Sequence, residues 1–350
     1  MGRDSNVNII ENRFITNELT LKRYRRFKKN KMAVFATWTI FFLLFFSFTA
    51  EFWANSKPLV MQYQGKIYVP LFADYHPTEF GREDIYVMDY RSLEFKEGDW
   101  AAWPLVQWDP FESNKVVESY PAAPSKYNLM GTDDRGRDVL TRLLYGLRYS
   151  FIFAIGAWMV AYFIGVVIGS LTGFFGGKFD LVTMRTVEII QTMPTTLILI
   201  TIISIFTPNL FVLVLFLSAF EWTKIALYMR GQFLQLRKRE YVEAARAIGS
   251  SNGRIIFKHI LPNAITPIVT FSPFDIAVNI STLAFLDYLG LGLRAPTPSW
   301  GELLQQAQKY FTTAEWLVWY PSVALIITLT LLINIGLAVR DAFDSKSSVG

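Results

Sequence analysis

Apolar runs of spanning length punctuate this chain, separated by short polar breaks and one long polar interval. The first runs from about Val34 to Phe52, with only Glu51 charged near its far end. Others lie near 149–172, 182–206, 208–229, 264–290 and 316–338. A bilayer is crossed by about 20 consecutive apolar residues in a helix, so the pattern predicts six membrane helices. The third and fourth nearly abut at Thr207-Pro208-Asn209, which predicts a tight turn between antiparallel spans. The first run is too long for a cleaved signal segment, and no small-residue cleavage site follows it.

Between the fourth and fifth runs the pattern changes period. Within EYVEAARAIGSSNGRIIFKHILPNA (240–264), Tyr241, Ala244, Ala245 and Ile248 fall at i, i+3, i+4 and i+7, one face of a helix. Gly249 closes that helix, because glycine adopts the left-handed conformation at little cost. Ser250 or Ser251 can cap a second helix carrying Ile255, Ile256 and Ile260, which Pro262 ends. Two short helices on a glycine joint form a docking element.

Charge orients these spans. Lys22, Arg23, Arg25, Arg26, Lys28, Lys29 and Lys31 crowd before the first span, placing the N-terminus in the cytoplasm. Six crossings put 173–181, 230–263 and the C-terminal tail on the same side. The 230–263 loop carries seven basic residues, from Arg230 to Lys258, against Glu240 and Glu243. Beside a span, a polybasic run reads as topology rather than nucleic-acid binding. Composition agrees: 52% of residues are hydrophobic and 16% aromatic, too apolar for an ordinary soluble domain. Cysteine is absent and His76 and His259 are the only histidines, which excludes thiolate metal sites, cysteine nucleophiles and multi-histidine clusters.

The run Glu243-Ala244-Ala245, three residues, Gly249, then Leu261-Pro262 resembles the EAA loop of ABC-importer permeases. GTDDRGRDVLTRLLYGLR (131–148), GFFGGKFD (173–180), LDYLGLG (286–292) and PSWGELL (298–304) are similar to further motifs of the dipeptide/oligopeptide permease family, over roughly 130–344. Residues 53–80, Asp287 and AVRDAFD (338–344) resemble the microcin C (Yej-type) peptide permease subunits, with their long periplasmic insertion. The resemblance implies a MetI-like core whose 240–263 segment sits in a cleft of a cytoplasmic ATPase subunit. Glu243, Ala244, Ala245, Gly249, Leu261 and Pro262 would be its coupling residues.

Other motifs carry less. GFFGGKF cannot form a phosphate-binding P-loop, which needs glycine at 172, where Thr172 stands, and Ser or Thr at 179, where Phe179 stands. DDRGRD (133–138) is half the length of a calcium loop and holds two arginines; helix capping by Thr132 or Asp133 with local ion pairs explains it better. Ionisable residues in spans are costly and carry a functional signal. Arg185, Glu188 and Gln191 recur at spacing three. Asp275 and Asn279 lie one turn apart, and Asp287 sits near the outer end. Each set is open to two roles, lining a pathway or joining helices. Glu221 and Lys224 read as a structural pair. The aromatic-rich insertion, with Tyr63, Tyr68, Phe72, Trp100, Trp103 and Trp108 and a hairpin signal at Gln64-Gly65, reads as a small folded cap. Arg137–Leu147 is amphipathic and suits an interfacial helix.

The expected fold is therefore all-α and polytopic: a basic N-terminus (1–32), a first helix (33–52), a periplasmic insertion with an interfacial helix (53–146), a five-helix core (147–344) and a tail (345–350). The expected function is a bacterial inner-membrane ABC permease subunit for peptides, not itself an enzyme, with both termini cytoplasmic. It would hold no cofactor, ATP and magnesium being bound by partner ATPase subunits. A second homologous permease, a periplasmic peptide-binding protein and the lipid bilayer complete the expected partners, without nucleic acid. The alternatives are an ABC permease for nickel or another small solute, and a stand-alone proton-coupled transporter.

Overall fold

The computed structural model describes residues 18–206 and 209–344. Thr207 and Pro208 of the expected turn, and segments 1–17 and 345–350, lie outside the described residues. In chain order the principal elements are α1 (Glu18–Lys29), α2 (Lys31–Phe48), β1 (Val60–Tyr63), β2 (Lys66–Tyr68), β3 (Trp100–Ala102), α3 (Val139–Phe175), α4 (Gly177–Thr192), α5 (Thr195–Ile205), α6 (Leu210–Leu236), α7 (Glu240–Ala247), α8 (Thr266–Tyr288), α9 (Trp300–Tyr310) and α10 (Glu315–Phe343). Among the described residues α2, α3, α6, α8 and α10 are long and apolar enough to cross a membrane.

The third expected span departs from a straight helix. α4 and α5 meet at a bend of 78°. Pro194 has no N–H to continue the ladder, and its ring drives Met193 to an extended conformation (φ −74°, ψ 136°). The expected interfacial helix is likewise not separate: α3 runs unbroken for 37 residues from Val139. Its cap is Asp138, whose carboxylate accepts from Thr141 N–H at 2.7 Å, rather than Thr132 or Asp133. Thr132 instead accepts from Ala122 N–H, and Asp133 from Arg135 and Arg137.

The described residues form two compact units, 18–40, 153–281 and 327–344 in the first, and 41–152 and 282–326 in the second. In the first, Gly165, Gly169 and Gly173 make one stripe along α3. A methyl group added at each would lie 2.6 Å from the Trp222 carbonyl oxygen, 2.3 Å from that of Ala226 and 2.6 Å from that of Arg230. Those distances are below van der Waals contact, so the α3 and α6 backbones touch as only glycine allows. Lipid offers no hydrophobic drive between helices, and close backbone approach is how they associate. Ser218 adds a hydrogen bond from its hydroxyl to the Ala157 carbonyl at 3.1 Å.

The second unit contains the insertion. β1 pairs antiparallel with both β2 and β3, in the order β2-β1-β3, with Met61 opposite Tyr68 and Ala101. Gln64 and Gly65 both have positive φ, 50° and 77°, as a two-residue hairpin turn demands. Beneath the sheet Met61, Tyr63, Tyr68, Phe80, Tyr90 and Leu93 make an aromatic core, with edge-on ring contacts such as Phe80 to Tyr90 at 5.7 Å. Phe72 and Trp100, expected among its aromatics, are largely exposed.

Candidate functional site

The 240–264 segment is built as a platform. α7 ends in a Schellman motif: Ser250 N–H donates to the Ala245 carbonyl at 3.0 Å and Gly249 N–H to that of Arg246 at 2.9 Å. Gly249 supplies the required φ of +81° with nothing within 4 Å of where a Cβ would sit. Its role is therefore conformational, not steric. Ser251, the cap of the second limb, accepts from Arg254 N–H. That limb continues as a π-helical turn, Ile255–Ile260, and an α-turn, Leu261–Ala264. Pro262 thus lies within the limb and does not end it. The π register widens the turn that precedes the proline, and Asn263 Nδ2 donates to the His259 carbonyl at 2.8 Å.

Val242, Ala245, Ile255, Ile256, Ile260 and Ala264 are buried against Tyr162 and Phe174 of α3 and Ile225, Met229 and Phe233 of α6. Arg246 lies over the Phe174 ring, 5.6 Å from its centroid, and Arg237 donates to the Phe174 carbonyl at 3.0 Å. Arg230 grips Asp180 of α4 with two hydrogen bonds, at 2.5 and 2.8 Å. The segment is rooted on the ends of the two helices that touch through glycine.

The four residues of the expected α7 face separate. Ala245 turns inward beside Val242, while Tyr241, Ala244 and Ile248 face outward, Ile248 being 81% exposed. Glu243, Gly249 and Pro262 are exposed and Leu261 is half-buried. Phe257, which the sequence pattern did not single out, is 70% exposed. Tyr241, Ile248 and Phe257 leave apolar side chains exposed on an element whose inner side chains, Val242, Ala245, Ile255, Ile256 and Ile260, are buried.

The ionisable residues of the spans divide. Asp275 accepts a hydrogen bond from Tyr162, Ser272 accepts from Trp158 at 3.0 Å, and Asn279, fully buried, donates to the Ala154 carbonyl at 3.3 Å. These are ties between α3 and α8. Asp287 is buried and accepts from Ser299 and, at 2.6 Å, from Leu293 N–H, so it clasps the turn after α8. Gly292 and Gly301 lie hard against it, with an added Cβ 1.7 Å from Asp287 Oδ1 and 2.5 Å from its Cβ respectively. Arg185 pairs with Glu188 at 2.6 Å on an exposed face that also carries Gln191. Glu221 and Lys224, expected to pair, make no ion pair among the described residues; Glu221 is half-buried and Lys224 exposed.

The DDRGRD run forms part of a buried ionic network. Arg137 donates to Asp133 at 2.7 Å and to Glu302 of α9 at 3.0 Å. Arg142, fully buried, donates to Glu302, to the Pro110 carbonyl at 2.9 Å and to the Pro296 carbonyl at 3.2 Å. Two cations thereby meet two carboxylates.

Residues 165–349 match the family described as "Binding-protein-dependent transport system inner membrane component". Residues 22–88 match the N-terminal transmembrane domain of oligopeptide transport permease C. The chain is 36% identical to the peptidoglycan transport system permease protein YejE of Agrobacterium fabrum, over 94% of this chain and 93% of that protein. It is 37% identical to the inner membrane ABC transporter permease protein YejE of Escherichia coli, over 93% of this chain and 97% of that protein. Against the oligopeptide transport system permease protein OppC of Bacillus subtilis it is 36% identical, over 64% of this chain and 73% of that protein.

Proposed function

Because this chain belongs to the family of binding-protein-dependent transport system inner membrane components, we propose that it is the peptide-path subunit of an ATP-driven importer and that 240–264 receives the motor. The observation that carries this reading is the apolar side chains of Tyr241, Ile248 and Phe257, exposed on an element whose inner side chains are buried. Burying three such side chains supplies roughly 1.5–3 kcal/mol each. Association entropy consumes much of that, so a shaped cleft in the ATPase subunit and polar contacts from Glu243 complete the binding.

Force applied to α7 reaches the ends of α3 and α6 through Val242, Ala245 and Ile255. The glycine contact makes those two helices one rigid body, so they rock together when the ATPase dimer closes. The Asp275 and Asn279 ties carry α8 along. Glu243, Ala244, Ala245, Gly249, Leu261 and Pro262 are the coupling residues, ATP and magnesium belong to the ATPase subunits, and this chain does no covalent chemistry. A second permease subunit completes the pathway, to which Arg185, Glu188 and Gln191 contribute from their exposed face. Both termini lie in the cytoplasm, by the basic residues before α2.

The cargo is peptide. Relatives named for oligopeptide and for peptidoglycan transport share peptide-containing cargo, and that is the chemistry this reading assigns. A binding protein delivers it to the cap, where Leu105, Val116 and Leu129 are exposed around a cleft of about 700 Å³.

The test is reconstitution of the subunit with its neighbouring ATPase subunits, second permease and binding protein in proteoliposomes. ATP-dependent oligopeptide uptake is expected for the wild type and its loss for a Gly249→Pro, Glu243→Arg double variant that still inserts. Uptake driven by a proton gradient without the ATPase subunits would overturn the reading.

A further inference from the structure

α1 does not end as a free basic tail. Arg26 donates to the Asp344 carbonyl at 2.8 Å, and the Arg23 guanidinium lies 4.2 Å from the centroid of the Phe343 ring. The helix is thereby clamped to the end of α10. Between them, and against the end of the 240–264 segment and the start of α8, a groove of about 580 Å³ remains open, lined by Leu19, Arg23, Phe27, Ile265, Val269 and Val339. Its walls are mostly apolar, and a guanidinium stands at one side. α1 as a whole carries six basic residues, Arg23 among them, against one acidic residue, Glu18. Lys22, Lys29 and Lys31 are exposed.

We propose that this groove holds an anionic phospholipid from the leaflet beside α1, its acyl chain against Ile265, Val269 and Val339 and its phosphate at Arg23, the one basic side chain that lines it. Charge complementarity selects the occupant. Basic clusters next to a span attract anionic headgroups by about a fivefold gain in binding per cation, and a zwitterionic lipid gains nothing comparable. The groove also reaches Pro262 and Thr266, where the coupling limb passes into α8, so an occupied groove braces the root of that limb. The proposed orientation enters only in naming the leaflet that supplies the lipid; lipid binding is read without any ATPase subunit and stands or falls apart from the transport reading.

The full chain, purified in mild detergent and equilibrated with mixed micelles of phosphatidylglycerol and phosphatidylcholine, is read by native mass spectrometry for retained lipid. Preferential retention of phosphatidylglycerol is expected. Arg23→Gln reduces it about fivefold, the gain expected for one cation. Val339→Trp fills the groove and abolishes retention with every charge intact. Equal retention of both lipids, or undiminished retention in both variants, overturns the proposal. So does a photocrosslinker at Val269 that captures residues 1–17 of this chain in place of lipid.

Discussion

Around Gly165, Gly169 and Gly173 the first unit packs backbone on backbone, and around Arg142 the second unit packs charge on charge. The first contact is made of atoms with nothing to give but proximity, so its strength depends on the absence of side chains. The second depends on four ionised groups, Asp133, Arg137, Arg142 and Glu302, each satisfying another. A contact of proximity resists shear only while it stays close-packed and can be moved as a block. A buried ionic network holds one geometry and is costly to break. The helices that root the coupling segment use the former; the turns around α9 use the latter.

The sharpest break comes from removing one charge. Arg142→Met leaves Asp133 and Glu302 to share Arg137 alone, one buried negative charge in excess, and should destabilise the solubilised subunit by about 3 kcal/mol, read by thermal unfolding. Adding Glu302→Leu removes the partner and leaves Asp133 balanced by Arg137, so the double variant should be more stable than Arg142→Met alone. No such rescue exists for glycine. Gly169→Leu must push the Ala226 carbonyl away from a clash at 2.3 Å and should cost about 3 kcal/mol. It should also separate α6 from α3, measured as a lengthened spin-label distance between them.

Asp287→Ala leaves the Leu293 N–H and the Ser299 hydroxyl without their acceptor. A loss of about 2 kcal/mol is expected, with faster proteolysis of the 289–299 turn. The smallest effect is at the joint. Gly249→Ala meets no atom but must hold a left-handed φ, at about 1–2 kcal/mol. It should lower ATPase stimulation with little change in the yield of inserted subunit. A loss of thermal stability as large as that of Arg142→Met would place Gly249 in the core and contradict the comparison.

Much of this fold is legible in the hydropathy because lipid imposes a length and a composition on every span. The bend at Pro194 and the Schellman end at Gly249 follow from local chemistry as well; the first was present in the sequence as a proline within an apolar run. The hairpin turn at Gln64-Gly65 is local in the same way. The ties of Asp275, Asn279 and Asp287 are not, since whether a carboxylate lines a path or clasps a helix depends on what folds against it. Arg142 and Glu302 stand 160 positions apart, and no periodicity joins them. The Gly165, Gly169, Gly173 contact emerges only in the fold, because nothing in the sequence names the helix that packs against it. α7 has two adjoining apolar faces, and tertiary packing chose Val242 with Ala245 over Tyr241 with Ile248.

That choice of face is what most needs testing. The chain has no cysteine, so an Ile248→Cys variant and a Val242→Cys variant each carry a single thiol. Crosslinking each, in the assembled complex, to cysteines placed along the cleft of the ATPase subunit compares the outward and inward faces directly. Efficient crosslinks from Ile248→Cys that change when ATP binds, with none from Val242→Cys, are the predicted result. Crosslinks from neither position in a complex that hydrolyses ATP normally would show that the motor docks elsewhere.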